Sequence, residues 1–161
     1  MSDGKTANWK NFYRKWFYRY LAKKYMKGWV VLDVGSGNGF FAKSINDLVP
    51  QVIRIDKQPI DDETRGMSYE LWTEPVDVVW ASQFIEHVDA KDFCGWLTTV
   101  CKKRCVIITP NPSKSFWDDP EHIRPYTRTA IKTLLESHGF KIVRQIEPWP
   151  IQSHITIAEK I

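Results

Sequence analysis

The sequence lacks any run of about 18 apolar residues, so no segment is expected to span a membrane. Its first residues lack the apolar core of a secretory signal. It has only three cysteines, Cys94, Cys101 and Cys105, an odd number without CxxC spacing. They read as reduced, buried thiols of a cytoplasmic protein rather than a zinc site or a disulfide framework. There is no internal repeat, no linker and no low-complexity tract, so residues 1–161 read as one domain with one core.

Aromatics are plentiful: eight tryptophans, eight phenylalanines and six tyrosines. The net charge of +4 is unevenly placed, with residues 1–28 at +7 and the remainder at −3. Within that first segment Trp9, Phe12, Tyr13, Trp16, Phe17 and Tyr20 follow helical spacing, with Lys10, Arg14, Lys15, Arg19 and Lys23 between them. The pattern predicts a basic, aromatic helix over 8–25, with Gly28 near its end. Three readings are open for it: packing on the body of the domain, nucleic-acid contact through phosphates and stacked bases, or a membrane-surface helix.

Beyond it, strands and helices alternate. Strands are expected at 30–35, 52–56, 76–81 and 104–109, and helices at 40–49, 92–100 and 127–139. Asp89 and Thr127 are the expected caps, and Gly139 the stop. Residues 57–75 leave room only for a short strand. Two closing strands, "FKIVRQIE" and "HITIAEKI", are separated by a short turn and form a hairpin. Alternation predicts an α/β fold with a mostly parallel sheet, and the hairpin brings in one antiparallel strand.

The chemistry starts in "VVLDVGSGNGFF", residues 30–41. A turn with Gly35, Gly37 and Gly39 after a parallel strand lets a ligand approach the backbone, and the following helix is expected to supply free N–H groups. A dinucleotide fingerprint needs G-x-G-x-x-G, and Phe40 stands at the sixth place. Asp33, two residues before the first glycine, would repel a pyrophosphate but suits a cationic group. Asp56, at the end of the second strand, can accept hydrogen bonds from a ribose diol. A ribose with a cationic amino-acid end and no phosphate fits S-adenosylmethionine better than a nicotinamide dinucleotide.

With those residues in place, the chain resembles the class I S-adenosylmethionine-dependent methyltransferases over most of its length. "VLDVGSGNGFF" is similar to the family's first motif and "VIRIDK" to the second. "VDVVWASQFIEHV" resembles the segment ending the fourth strand, "RCVIITPNP" the fifth strand and its loop, and "HIRPYTRTAIKTLLESHGFKIV" the stretch into the sixth. The resemblance implies a Rossmann-like sheet of seven strands, mostly parallel with an antiparallel final strand, and here a vestigial third strand. It implies methyl transfer from S-adenosylmethionine to an acceptor left open: small molecule, protein or RNA. It also implies cofactor contacts at Asp33, Gly35, Ser36, Gly37, Gly39, Asp56 and Lys57, with Ser82 and Gln83 on the methionine side. Whether Asp61, Asp62 or backbone groups reach the adenine stays open, as does the oligomeric state.

Glu86, His87 and His122 are the candidate catalytic residues, with Asp118, Asp119 and Tyr126 near them in sequence. "QFIEH" resembles the E-x-x-E-H of metal-dependent O-methyltransferases, but Gln83 replaces the first carboxylate, so a metal stays open. "TPNPSKSF" follows the fifth strand rather than the fourth, which argues against the amino-group methyltransferases that carry a similar tetrapeptide there. A cofactor-binding partner protein without catalysis is the rival reading.

Overall fold

The structure, a computed structural model, describes residues 3–148 and 151–161. Helix α1 (Asp3–Tyr25) comes first, followed by β1 (Val30–Val34), α2 (Phe40–Ile45), β2 (Gln51–Asp56), β3 (Thr64–Gly66) and β4 (Val76–Ser82). Then come α3 (Ala90–Val100), β5 (Cys101–Pro110), α4 (Arg128–Glu136), β6 (Phe140–Ile146) and β7 (Ser153–Lys160). The strands make one sheet in the order β3-β2-β1-β4-β5-β7-β6. All pairings from β3 to β5 are parallel, and β7 lies antiparallel between β5 and β6. The closing hairpin is therefore present, and β7 is the antiparallel strand. The third strand is three residues long, as short as residues 57–75 allow.

Side chains alternate across each strand, so each face has its own core. Leu32, Val34, Val79 and Ile107 face α3 and α4 in one cluster. Val31, Val78, Trp80 and Val106 meet α1 and α2 in the other. In that second layer Trp80 stacks on Phe41 at 3.7 Å between ring centroids, and the Tyr18 ring meets Trp80 edge-on. An aromatic pair of this kind contributes about 0.5–1.5 kcal/mol beyond its buried area. Phe17, Tyr18, Leu21 and Tyr25 thus bury one side of α1, while Phe12 and Trp16 on its outer side are 75% and 56% exposed.

Several boundaries follow from local chemistry. Asp89 accepts from the N–H groups of Lys91 and Asp92 and starts α3. Thr127 accepts from Ala130 and starts α4, and Gly139, at φ +80, follows its end. The helix expected over 40–49 stops at Ile45. There the Arg19 guanidinium donates to the Ser44 carbonyl and to both carboxylate oxygens of Asp47, at 3.0, 2.6 and 2.8 Å. These contacts tie α1 to the turns that follow Ile45.

Candidate functional site

Strand order reverses between β1 and β4, which opens a crevice at their carboxyl ends. The glycine turn lies in it. Gly35 has φ +66, and a Cβ there would collide with the Phe84 ring. Gly39 has φ +70, and a Cβ there would collide with the Arg54 guanidinium. These two positions need glycine both for conformation and for space.

The turn's amides are already engaged. Gly35 and Ser36 donate to the Ile55 carbonyl at 3.0 and 3.2 Å, and Gly37 donates to Asp56 Oδ2 at 2.9 Å. The N–H of Phe40, at the start of α2, donates to Asn38 Oδ1 at 3.0 Å. Asn38 thus takes one of the amides at the start of this helix, whose N-cap, Gly39, makes no side-chain cap bond. A diphosphate would need such donors unengaged.

Asp33 projects from β1 toward the α1 and α2 side and is 2% exposed, and its Oδ2 has no hydrogen-bond partner. Burial raises its carboxyl to about 7, with the positive Arg54 pulling it down and Asp56 pushing it up. It lines a cavity of about 120 Å³ with Arg14, Ser36, Trp80, Ser82 and Gln83. Ser36 Oγ and Trp80 Nε1 are also without partners. The cavity thus offers a buried carboxylate, a hydroxyl, an indole N–H and a guanidinium. That set is complementary to a zwitterion: ammonium to Asp33, carboxylate to the donors.

Asp56 ends β2. Its Oδ1 accepts from Gln58 N–H at 2.9 Å while Oδ2 holds Gly37. Two bonds leave lone pairs for further donors. It faces a cavity of about 420 Å³ with Lys57, Met67, Tyr69, Phe84 and His87. Gly35 and Gln83 line both cavities, so they join them. Gly37 and Gly39 line neither and act by shaping the turn.

Arg54 was not among the expected site residues. It is buried in mid-strand, paired with Asp61 at 3.0 Å and Glu63 at 3.1 Å. Asp61, one open candidate for the adenine, is held at about 2 by that arginine and also bonds Thr64. The signal was present: an arginine inside the apolar strand "VIRID".

Glu86, His87 and His122 come together, with one ligand atom from each within 4.8 Å of the others. Glu86 is fully buried, both its oxygens lack partners, and burial raises its carboxyl to about 7. His87 Nδ1 is 3.2 Å from the Glu121 carbonyl, and His122 Nδ1 is 2.6 Å from the Phe116 carbonyl. A carbonyl only accepts, so Nδ1 carries a proton in each ring, and in the neutral tautomer Nε2 presents the lone pair. His122 Nε2 also lies 3.6 Å from Asp119 Oδ2. Gln83 does not join this cluster. Its φ is +54, its N–H donates to the Ile108 carbonyl, and its Nε2 donates to Ser153 Oγ at 3.1 Å.

A family model described as a methyltransferase domain matches residues 8–145. No curated protein matches the sequence. Among solved structures, an Archaeoglobus fulgidus SAM-dependent methyltransferase is 21% identical at TM-score 0.71, over 93% of this chain and 94% of that one. Magnesium protoporphyrin IX methyltransferase from Synechocystis PCC 6803, solved with bound SAM, is 15% identical at TM-score 0.70, over 94% and 80%. A chain from the complex of the Haloferax volcanii Trm112 methyltransferase activator with a methyltransferase is 13% identical at TM-score 0.72, over 96% and 94%. At these identities the structural likeness shows the fold alone.

Proposed function

The chain belongs to the methyltransferase domain family, and on that premise we propose that residues 1–161 form one domain whose methyl donor is S-adenosylmethionine. The observation that carries this reading is the unpartnered Oδ2 of Asp33 in a buried cavity beside the glycine turn, with Asp56 in the adjoining one. Asp33 takes the ammonium, Ser36, Trp80 and Arg14 take the carboxylate, and Asp56 takes the ribose diol. Lys57 rims the ribose side, Met67, Tyr69 and Phe84 wall the adenine side, and Ser82 and Gln83 flank the methionine side. S-adenosylmethionine supplies a methyl group already activated by its sulfonium. The chain's own task is then alignment and exclusion of water, and such positioning supplies on the order of 7–11 kcal/mol.

The test is calorimetry with S-adenosylhomocysteine on the parent and on Asp56→Ala, followed by labelled methyl transfer into fractionated lysate. Binding by the parent with at least tenfold loss in the variant is expected, together with labelling of one class of acceptor. No heat with the parent would refute the cofactor reading. Binding without any labelled acceptor would favour a non-catalytic partner protein.

A second reading is favoured by the Glu86, His87 and His122 cluster: a divalent metal that lowers the pKa of a hydroxyl acceptor. Two imidazole Nε2 lone pairs and one carboxylate are donors that suit such an ion. Without a metal, the same groups are placed as proton acceptors. The exposed outer side of α1, with Phe12 and Trp16 among lysines and arginines, supports contact with single-stranded nucleic acid. That contact would weaken steeply with salt in a titration with a labelled oligonucleotide, and no binding at low salt would remove it. Among the described residues no helix is long and apolar enough to cross a membrane. The buried, unpaired Cys94, Cys101 and Cys105 suit the reducing cytoplasm.

A further inference from the structure

A third cavity, about 380 Å³, lies between α1 and the segment leading into β7. It shares Arg14, Tyr18, Ser82 and Gln83 with the Asp33 cavity. Gln83 also lines the Asp56 cavity, so all three meet at this residue. The Gln83 backbone is in the left-handed region, which an unbranched side chain adopts only under constraint. Its bonds to Ile108 and Ser153 supply that constraint and fix the wall between the cavities. An acceptor must sit beside the methionine end of the donor, and this space adjoins it. Its volume falls in the range of small-molecule sites.

The charge of this cavity differs from that of the other two. The Asp33 cavity contains a buried carboxylate, and the Asp56 cavity contains Asp56 and Glu121. The third has Lys10 and Arg14 and, among the described residues, no carboxylate. Neither cation has a carboxylate partner among the described residues. Arg14 rests instead on aromatic faces, 5.1 Å from the Phe40 centroid and 5.8 Å from that of Tyr18. With Arg14 taken up by the cofactor's carboxylate, Lys10 remains the cleft's uncompensated cation and favours an anionic guest. Tyr13, Ile108 and Ile151 supply apolar wall for the rest of it.

We propose that this cavity receives the methyl acceptor, and that the acceptor is a small molecule bearing a phosphate or carboxylate held by Lys10, beside the Arg14 guanidinium that also reaches the cofactor's carboxylate. The proposal rests on the cofactor reading above. Lys10 is the selective position to test, because it lines neither the Asp33 nor the Asp56 cavity, whereas Arg14 lines the former. S-adenosylhomocysteine is first titrated alone into the full chain. Absence of heat at that step refutes the cofactor reading, and this proposal with it. With the ligand saturating, phenyl phosphate, benzoate and neutral benzamide are then compared by ligand-observed NMR. At least tenfold tighter binding of phenyl phosphate or benzoate than of benzamide is expected, and whichever is tighter names the anion. Lys10→Glu abolishes that preference, Lys10→Arg keeps it, and both retain parental S-adenosylhomocysteine affinity and melting temperature. Equal binding of the three probes, or an anion preference that survives Lys10→Glu, overturns the proposal while leaving the cofactor reading intact.

Discussion

Replacing Asp33 with asparagine removes a buried charge at almost constant volume. Burial lifts the Asp33 carboxyl from 3.8 to about 7. A shift of that size corresponds to about 4 kcal/mol of native-state cost once the group is ionised. The folded protein holds this proton more tightly than the unfolded chain does. The contribution to stability is therefore fully present below about pH 4 and is lost as pH rises toward 7. The asparagine escapes that cost but leaves an amide donor in the cavity, at about 1–3 kcal/mol. Without ligand, Asp33→Asn should match or slightly trail the parent at pH 5 and exceed it by about 1–3 kcal/mol at pH 8. For a chain of this length each kcal/mol moves the melting temperature by about 2–4 °C. Ligand affinity should move the opposite way. Losing a charge-assisted hydrogen bond to the ammonium costs about 1.5–3 kcal/mol, or roughly 10- to 150-fold in S-adenosylhomocysteine affinity. Thermal melts at the two pH values and calorimetry with that ligand read both effects. Glu86 is raised into the same window, so the difference between variant and parent isolates Asp33. A stability difference independent of pH, or parental affinity in the variant, would refute the reasoning.

Gly35→Ala should lower the melting temperature by several degrees and abolish S-adenosylhomocysteine binding, since the methyl meets Phe84 and φ is +66; parental melting and affinity would show that the turn does not need glycine. Arg54→Met removes the cation that opposes the burial shift of Asp33. The pH midpoint for ligand binding should then move upward in calorimetry at several pH values, and an unmoved midpoint would deny the coupling. Glu86→Gln removes the anionic member of the Glu86, His87 and His122 cluster. Manganese retention, measured by water-proton relaxation, should fall at least tenfold, and equal retention would discount the metal reading.

Elements with their own local signals were legible in the sequence. Asp89, Thr127 and Gly139 mark their helix ends as expected because each acts on backbone groups within three residues. Tertiary effects were not legible. Nothing in "FFAKSINDLV" says that Arg19, 25 residues away from Ser44, will tie α1 to the turns after Ile45. The joining of Glu86 and His87 to His122 is similarly non-local. It depends on the Ile123 N–H donating to the Glu86 carbonyl at 2.7 Å, which ties the loop after β5 to the end of β4.

The spacing of glycines and acids left the choice between a phosphate ligand and a zwitterion to one missing glycine. The fold decides it on donors. Asn38 takes the Phe40 amide, Ile55 and Asp56 take those of Gly35, Ser36 and Gly37, and the unpartnered side-chain atoms nearby include a carboxylate oxygen, a hydroxyl and an indole N–H. Those atoms belong to Asp33, Ser36 and Trp80, which lie far apart in sequence but are brought to one cavity by the pairing of β1 with β4. Asp33 sits opposite Arg54 on one side and Trp80 on the other. The same register that buries the carboxylate thus keeps a guanidinium near enough to lower its pKa toward the range in which it is ionised. Without that neighbour burial would raise the carboxyl further, so Arg54, which contacts no proposed ligand group, tunes the charge that Asp33 carries.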